Sequence, residues 1–258
     1  MKKITLLLIL AVAFVATSAA EPLCTTFTTL QGVIDGGNAC EAGNLLFSNF
    51  SWITNGGAGN VTGFAASSVP ISVTAASDTS VTLRFGTASA NTFQTQLSTG
   101  VKSFNYNMIY DVSTIVRAGA LANAFTGNVS SLVSPGTISN AKGFARLTKE
   151  GFDSELSSAF TTNPLVVNTS SSSGNQSGST ALINAGNALL TIYDDIFVQN
   201  RVGGAAVNSQ AAMNFFEQTF NNVVTPDEGP AIPEPLSFVL MGSGLLGLGL
   251  LRKRVAKA

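Results

Sequence analysis

Two close acidic pairs, Asp194-Asp195 and Asp153-x-Glu155, are the residues of this chain best suited by type to chemistry. Paired carboxylates hydrolyse glycosides or hold calcium. Spacing argues against both roles. Adjacent residues of a strand point to opposite faces, so Asp194 and Asp195 converge only if a bulge intervenes. No stretch alternates oxygen ligands in the manner of a calcium loop. The expected reading is ordinary solvated charge, since isolated acids normally face water. The chain contains no histidine, which removes Ser-His-Asp and Cys-His catalysis, the common zinc sites and histidine general-base chemistry. The expectation is therefore no catalytic residue, no metal ligand and no cofactor.

The only two cysteines, Cys24 and Cys40, lie close together near the N-terminus. In an exported chain such a pair reads as a disulfide, and without histidine neither thiol has an activating base. Closing a loop of this length contributes about 3 kcal/mol in the chain-entropy model. Trp52, Tyr106, Tyr110 and Tyr193 could stack on sugar rings, but aromatic side chains of this size are more often core. Asn-x-Ser/Thr occurs at Asn49, Asn60, Asn128, Asn168 and Asn175, as chance allows in a chain so rich in Ser, Thr and Asn. Between Glu21 and Ala231 seven basic residues face thirteen acidic ones. No basic stripe is present to neutralise phosphates, so nucleic acid is excluded as a partner.

Both ends carry targeting chemistry. Lys2 and Lys3 precede an apolar run from Ile4 to Ala16, and Ser18-Ala19-Ala20 leads into Glu21. That order is a secretory signal peptide, with cleavage between Ala20 and Glu21. At the far end Pro226, Pro230, Pro233 and Pro235 stiffen a linker, and residues 236–251 hold no charge before Arg252, Lys253 and Arg254. A helix over that apolar run spans roughly 24 Å, a little short of a ~30 Å hydrocarbon core, a difference that snorkelling and local thinning cover. Its basic flank stays cytoplasmic and leaves the body outside.

Pro233-Glu234-Pro235, the Gly-rich apolar segment behind it and the Arg252-Lys253-Arg254 cluster resemble the PEP-CTERM sorting signal. The family belongs to Gram-negative bacteria that make exopolysaccharide. The resemblance implies an exosortase-type membrane enzyme as processing partner, cutting near the Pro-Glu-Pro much as sortase processes its substrates. It further implies export across the inner membrane, transient anchoring there, and release to the cell surface or extracellular matrix with exopolysaccharide as a neighbour. The stretch from Cys24 through Cys40-Glu41-Ala42-Gly43-Asn44 to Phe50 also resembles the opening of other PEP-CTERM proteins, a resemblance that implies no particular activity.

The elements that must position these residues follow from period-2 alternation. Ser80, Thr82 and Arg84 alternate with Val81, Leu83 and Phe85; Phe104, Tyr106, Met108, Tyr110 and Val112 alternate with polar neighbours, broken at Ile109. Both patterns suit half-buried strands. Further strands are expected over 45–53, 70–75, 114–121, 143–147, 165–168, 189–199 and 205–209. Turns are expected at 55–60 and at Ser134-Pro135-Gly136. Residues 153–160 suit a short helix capped by Asp153. Residues 209–220 fit helix or strand, with strand favoured, and 168–180 read as a mobile low-complexity loop. Many short strands separated by Gly, Asn and Ser imply a mainly β, two-sheet antiparallel β-sandwich. The expected organisation is signal peptide 1–20, sandwich body 21–224, Pro-rich linker 225–235, and transmembrane helix with basic tail 236–258.

Three functions remain in contention: a non-catalytic envelope or exopolysaccharide-matrix protein, an envelope glycan-binding module, and a carboxylate-dependent glycan hydrolase. The first is favoured. A filled, grooveless sandwich would support it, a concave aromatic face would support binding, and two carboxylates ~5–10 Å apart across a cleft would support hydrolysis.

Overall fold

The structure is a computed structural model that describes residues 21–55, 65–77, 80–89, 91–97, 101–115, 124–125, 128–136, 138, 143–170, 174–183, 189–201, 209–221 and 223–224. The signal peptide, the linker, the Pro233-Glu234-Pro235 motif and the apolar C-terminal segment lie outside these residues, as do the body of the 55–60 turn and most of the 205–209 strand. Among the described residues no helix is long and apolar enough to cross a membrane.

In chain order the elements are helix α1 (Leu30–Asp35), β1 (Ala39–Ala42), β2 (Leu45–Asn55), β3 (Ile71–Ala76), β4 (Ser80–Gly86), β5 (Phe93–Leu97), β6 (Val101–Thr114), β7 (Ala124–Phe125), β8 (Asn128–Pro135), β9 (Phe144–Phe152), β10 (Leu165–Ser170), β11 (Gln176–Ala181), β12 (Leu189–Arg201), β13 (Ser209–Asn221) and β14 (Val223–Val224). One six-stranded sheet runs β1-β2-β6-β12-β9-β10. A second runs β11-β8-β13-β4-β3, with β5 also on β13, and β14 pairs β7 separately. The pairings are antiparallel, giving the expected two-sheet arrangement.

The interior forms where the apolar phases of the strands meet. Phe47, Phe50 and Tyr110 from the first sheet pack on Phe85, Phe216 and Phe220 from the second. Phe50 stacks on Tyr110 at 5.3 Å between ring centroids, and Phe85 stacks on Phe216 at 5.1 Å. Each such ring, fully buried, contributes about 1.5–3 kcal/mol, so the aromatic cluster dominates the core. Cys24 and Cys40 are joined as expected, with Cα atoms 4.8 Å apart, tying the N-terminal turn to β1. Thr29 caps α1 by accepting from Gly32 N at 3.1 Å, satisfying one of the amides a helix start leaves open.

Several expectations are corrected. Residues 153–160 form no helix. Asp153 Oδ1 accepts from the backbone N–H groups of Glu155 and Ser157, making a turn instead, and Leu156 has φ 60°. This turn delivers Phe160 onto Gly151 of β9, where a Cβ would overlap the phenyl ring. The expected loop 168–180 carries the end of β10 and nearly all of β11. β11 is a Ser/Gly edge strand held to β8 by backbone pairing, and its Gly178 lies against Leu165 and Val167 with little room for a Cβ. Of the expected 114–121 strand, Thr114 ends β6 and Ile115 follows it, while residues 116–121 lie outside the described residues. Ser134 and Pro135 belong to the end of β8 rather than to a turn, and β13 is a strand along its full length.

Candidate functional site

The acidic pair at 194–195 sits in the middle of β12, whose residues alternate inward and outward without a break. Asp194 shares the inward phase with Ile192 and Ile196, while Asp195 points out. The two carboxylates diverge, as strand geometry demands. The expectation of solvated charge fails for Asp194, which is 0% exposed. It is tolerated there because Lys149, its register partner on β9 and also 0% exposed, places Nζ 2.9 Å from Oδ1. An unpaired charge at this depth would cost several kcal/mol, whereas a paired one is close to neutral against apolar residues.

Two further side chains complete this buried cluster. Gln218 of β13 donates through Nε2 to Asp194 Oδ2, and Tyr110 of β6 donates its hydroxyl to Gln218 Oε1 at 2.8 Å. The chain of contacts crosses from one sheet to the other. Burial pushes the Asp194 carboxyl up against the opposing pull of Lys149, and pushes the Lys149 amine down against that of Asp194. Burial likewise raises the Tyr110 phenol, with the Asp194 charge adding to it.

Outside the core the remaining acids named from sequence are held by local partners. Asp195 faces Arg146 at 3.7 Å, and the Arg146 guanidinium lies 5.0 Å from the Phe197 ring centroid. Burial raises the Asp195 carboxyl while Arg146 opposes the rise. Asp153 is engaged in its turn, and Glu155 is exposed beside it. On the same sheet face Asp111 accepts from Asn49 Nδ2 at 2.8 Å and Thr191 Oγ1 at 2.7 Å. On the opposite face Glu217 pairs with Arg84 at 2.7 Å, and Arg84 lies 4.2 Å over Phe215. No two of these acids face each other across a cleft among the described residues.

The aromatic candidates divide. Tyr106 and Tyr110 are core, and Trp52 is half-buried against Tyr106 and Phe93 with ring centroids 5.5 and 6.1 Å away. Tyr193 is half-buried on the outer face of the first sheet. A depression of about 360 Å³ does open on the outer face of the second sheet, lined by Ser130, Leu132, Ser177, Ser179, Glu217 and Thr219. Serine and threonine residues and Glu217 make up its polar lining, and no aromatic ring lines it. No group of three or more His, Cys, Asp or Glu is placed to hold a metal among the described residues.

Sequence reasoning missed Lys149 and Gln218. The signal was present: Lys149 is in phase with Leu147, and Gln218 with Phe216 and Phe220, so each polar residue falls on the apolar side of its strand.

No protein-family model matches the chain, and no curated protein does. Among solved structures, similarity is found to the enzymatically active domain of bacteriophage CBA120 tailspike protein 4 at 9% identity and a TM-score of 0.27, covering 66% of this chain and 19% of that one. The adhesin domain of Epf from Streptococcus pyogenes aligns at 10% identity and a TM-score of 0.21, over 60% of this chain and 47% of that one. A non-crystalline cellulose specific carbohydrate-binding module, CBM28, aligns at 11% identity and a TM-score of 0.23, over 60% and 78% respectively. The chain thus spans less than half the length of the tailspike and adhesin structures. Likeness this slight says nothing about ligand or activity, and what is established, among the described residues, is a mainly β fold of two six-stranded antiparallel sheets with one small α-helix and a Cys24–Cys40 disulfide.

Proposed function

We propose that this chain is an exported, non-catalytic protein of the cell envelope or exopolysaccharide matrix, delivered through its Pro233-Glu234-Pro235 tail by an exosortase-type enzyme. The observation that supports the reading is the employment of its carboxylates: Asp111, Asp153, Asp194, Asp195 and Glu217 are each engaged by a neighbouring group that holds the fold. General acid–base catalysis needs a carboxyl free to exchange a proton with substrate. The interior holds a continuous aromatic cluster, and the buried Lys149–Asp194 pair is joined to it through Gln218 and Tyr110.

Complementation tests it. A strain lacking the gene should change its biofilm or surface properties, and a copy carrying Asp195→Asn and Glu155→Gln should restore them. A hydrolase using either carboxylate would lose on the order of a hundredfold in rate. A double variant that folds and is exported but fails to complement would overturn the non-catalytic reading.

The hydroxyl-lined depression between β8, β11 and β13 supports a second reading, a glycan-contacting surface. Ser177 and Ser179 are exposed there, and uncharged hydroxyls suit a neutral sugar. Under that reading Ser177→Trp should abolish retention of the protein by the host's own exopolysaccharide while leaving its unfolding midpoint unchanged. Retention unaffected by the variant would discard it.

A further inference from the structure

Lys149 and Asp194 are more than a buried charge pair. They stand directly opposite each other on neighbouring strands, both at 0% exposure, with Nζ 2.9 Å from Oδ1. A lysine ammonium has three donors, and the Asp194 carboxylate is the acid that stands against this one among the described residues. The other carboxylate oxygen, Oδ2, receives the amide of Gln218, and Tyr110 fixes that amide by donating to Gln218 Oε1. A nucleophilic nitrogen thus lies beside a carboxyl group whose far oxygen already carries a hydrogen-bond donor, in an interior closed to bulk water.

We propose that Lys149 and Asp194 form an isopeptide cross-link within the chain, without an external enzyme. Transfer of one proton from Nζ to Oδ1 converts the ion pair into an amine and a carboxylic acid, the form that burial favours for both partners. The nitrogen lone pair attacks Cγ of Asp194, and the electron pair of the C=O bond moves onto Oδ2, where the Gln218 N–H stabilises it. A second proton passes from the nitrogen to Oδ1, the C–Oδ1 bond breaks, and Oδ1 departs as water while the carbonyl re-forms at Oδ2. The amide keeps one N–H, one water is lost, and nothing is oxidised or reduced. The bond joins β9 to β12 and encloses β10 and β11 in a covalent loop, a second staple far from the Cys24–Cys40 disulfide.

Tryptic mapping of the full chain, purified from its host after denaturation and reduction, decides the matter. Arg146, Lys149 and Arg201 are successive cleavage sites in this part of the sequence, and an acylated Lys149 is not cleaved. The expected species is a single 147–201 peptide, lighter than its sequence by one water, whose fragments assign the bridge to Lys149 and Asp194. The Lys149→Arg chain should yield a 150–201 peptide of full mass. Recovery of 150–201 from the unsubstituted protein with no cross-linked species overturns the proposal. The proposal fails equally if 150–201 itself is one water lighter, because the loss then lies within that peptide and Lys149 is free.

Discussion

The hydroxyl of Tyr110 donates to Gln218 Oε1 at 2.8 Å across the interior, joining β6 of one sheet to β13 of the other. Both groups are buried, so neither has water as a substitute. Tyr110→Phe keeps the ring stacked on Phe50 and leaves Gln218 Oε1 without its donor. The expected cost is about 1–3 kcal/mol, seen as a lower urea midpoint at unchanged slope. A midpoint equal to that of the unsubstituted protein would mean the contact carries no stability.

Gly151 is required by a ring rather than by its backbone. It lies on the inward face of β9 beneath Phe160, with no room for a Cβ. Gly151→Ala should destabilise by about 1–3 kcal/mol through overpacking. Combining it with Phe160→Leu should recover part of that loss, so the two substitutions will not add. Strict additivity in a double-mutant cycle would show that the two positions do not meet.

The sheets were legible in sequence where apolar and polar residues alternate, as in β4, β6 and β12. β11 was not, because Gln176-Ser177-Gly178-Ser179 offers no apolar phase and the strand is held by backbone bonds to β8. α1 is only six residues long, too short for its Leu30, Val33 and Ile34 face to stand out as a helical period, and it is positioned by the Thr29 cap. For the site, the divergence of Asp194 and Asp195 followed from strand geometry alone. Which of them faces inward was also legible, from Ile192 and Ile196. The meeting of Asp194 with Lys149 was not: it depends on the register of β9 against β12, which non-local pairing sets.

Asp195 makes stability depend on pH. Burial raises its carboxyl above the ordinary value of 3.8, against the pull of Arg146. A folded-state value above the unfolded one means that the native state holds the proton more tightly. That contribution is present in full below the unfolded value and is lost as pH rises through the folded one. Asp195→Asn removes the titration. As pH rises from about 4, urea midpoints should shift in the variant's favour relative to the unsubstituted protein, levelling off once the folded-state value is passed. A difference that stays flat, or moves the other way, would mean that Arg146 outweighs the burial.

Delivery to the envelope through the tail is the central claim, and the intact mass of the extracellular protein tests it most directly. The account predicts a chain that begins at Glu21, after Ser18-Ala19-Ala20, and lacks residues 236–258 beyond Pro233-Glu234-Pro235. An extracellular species that still carries Arg252-Lys253-Arg254 would contradict it.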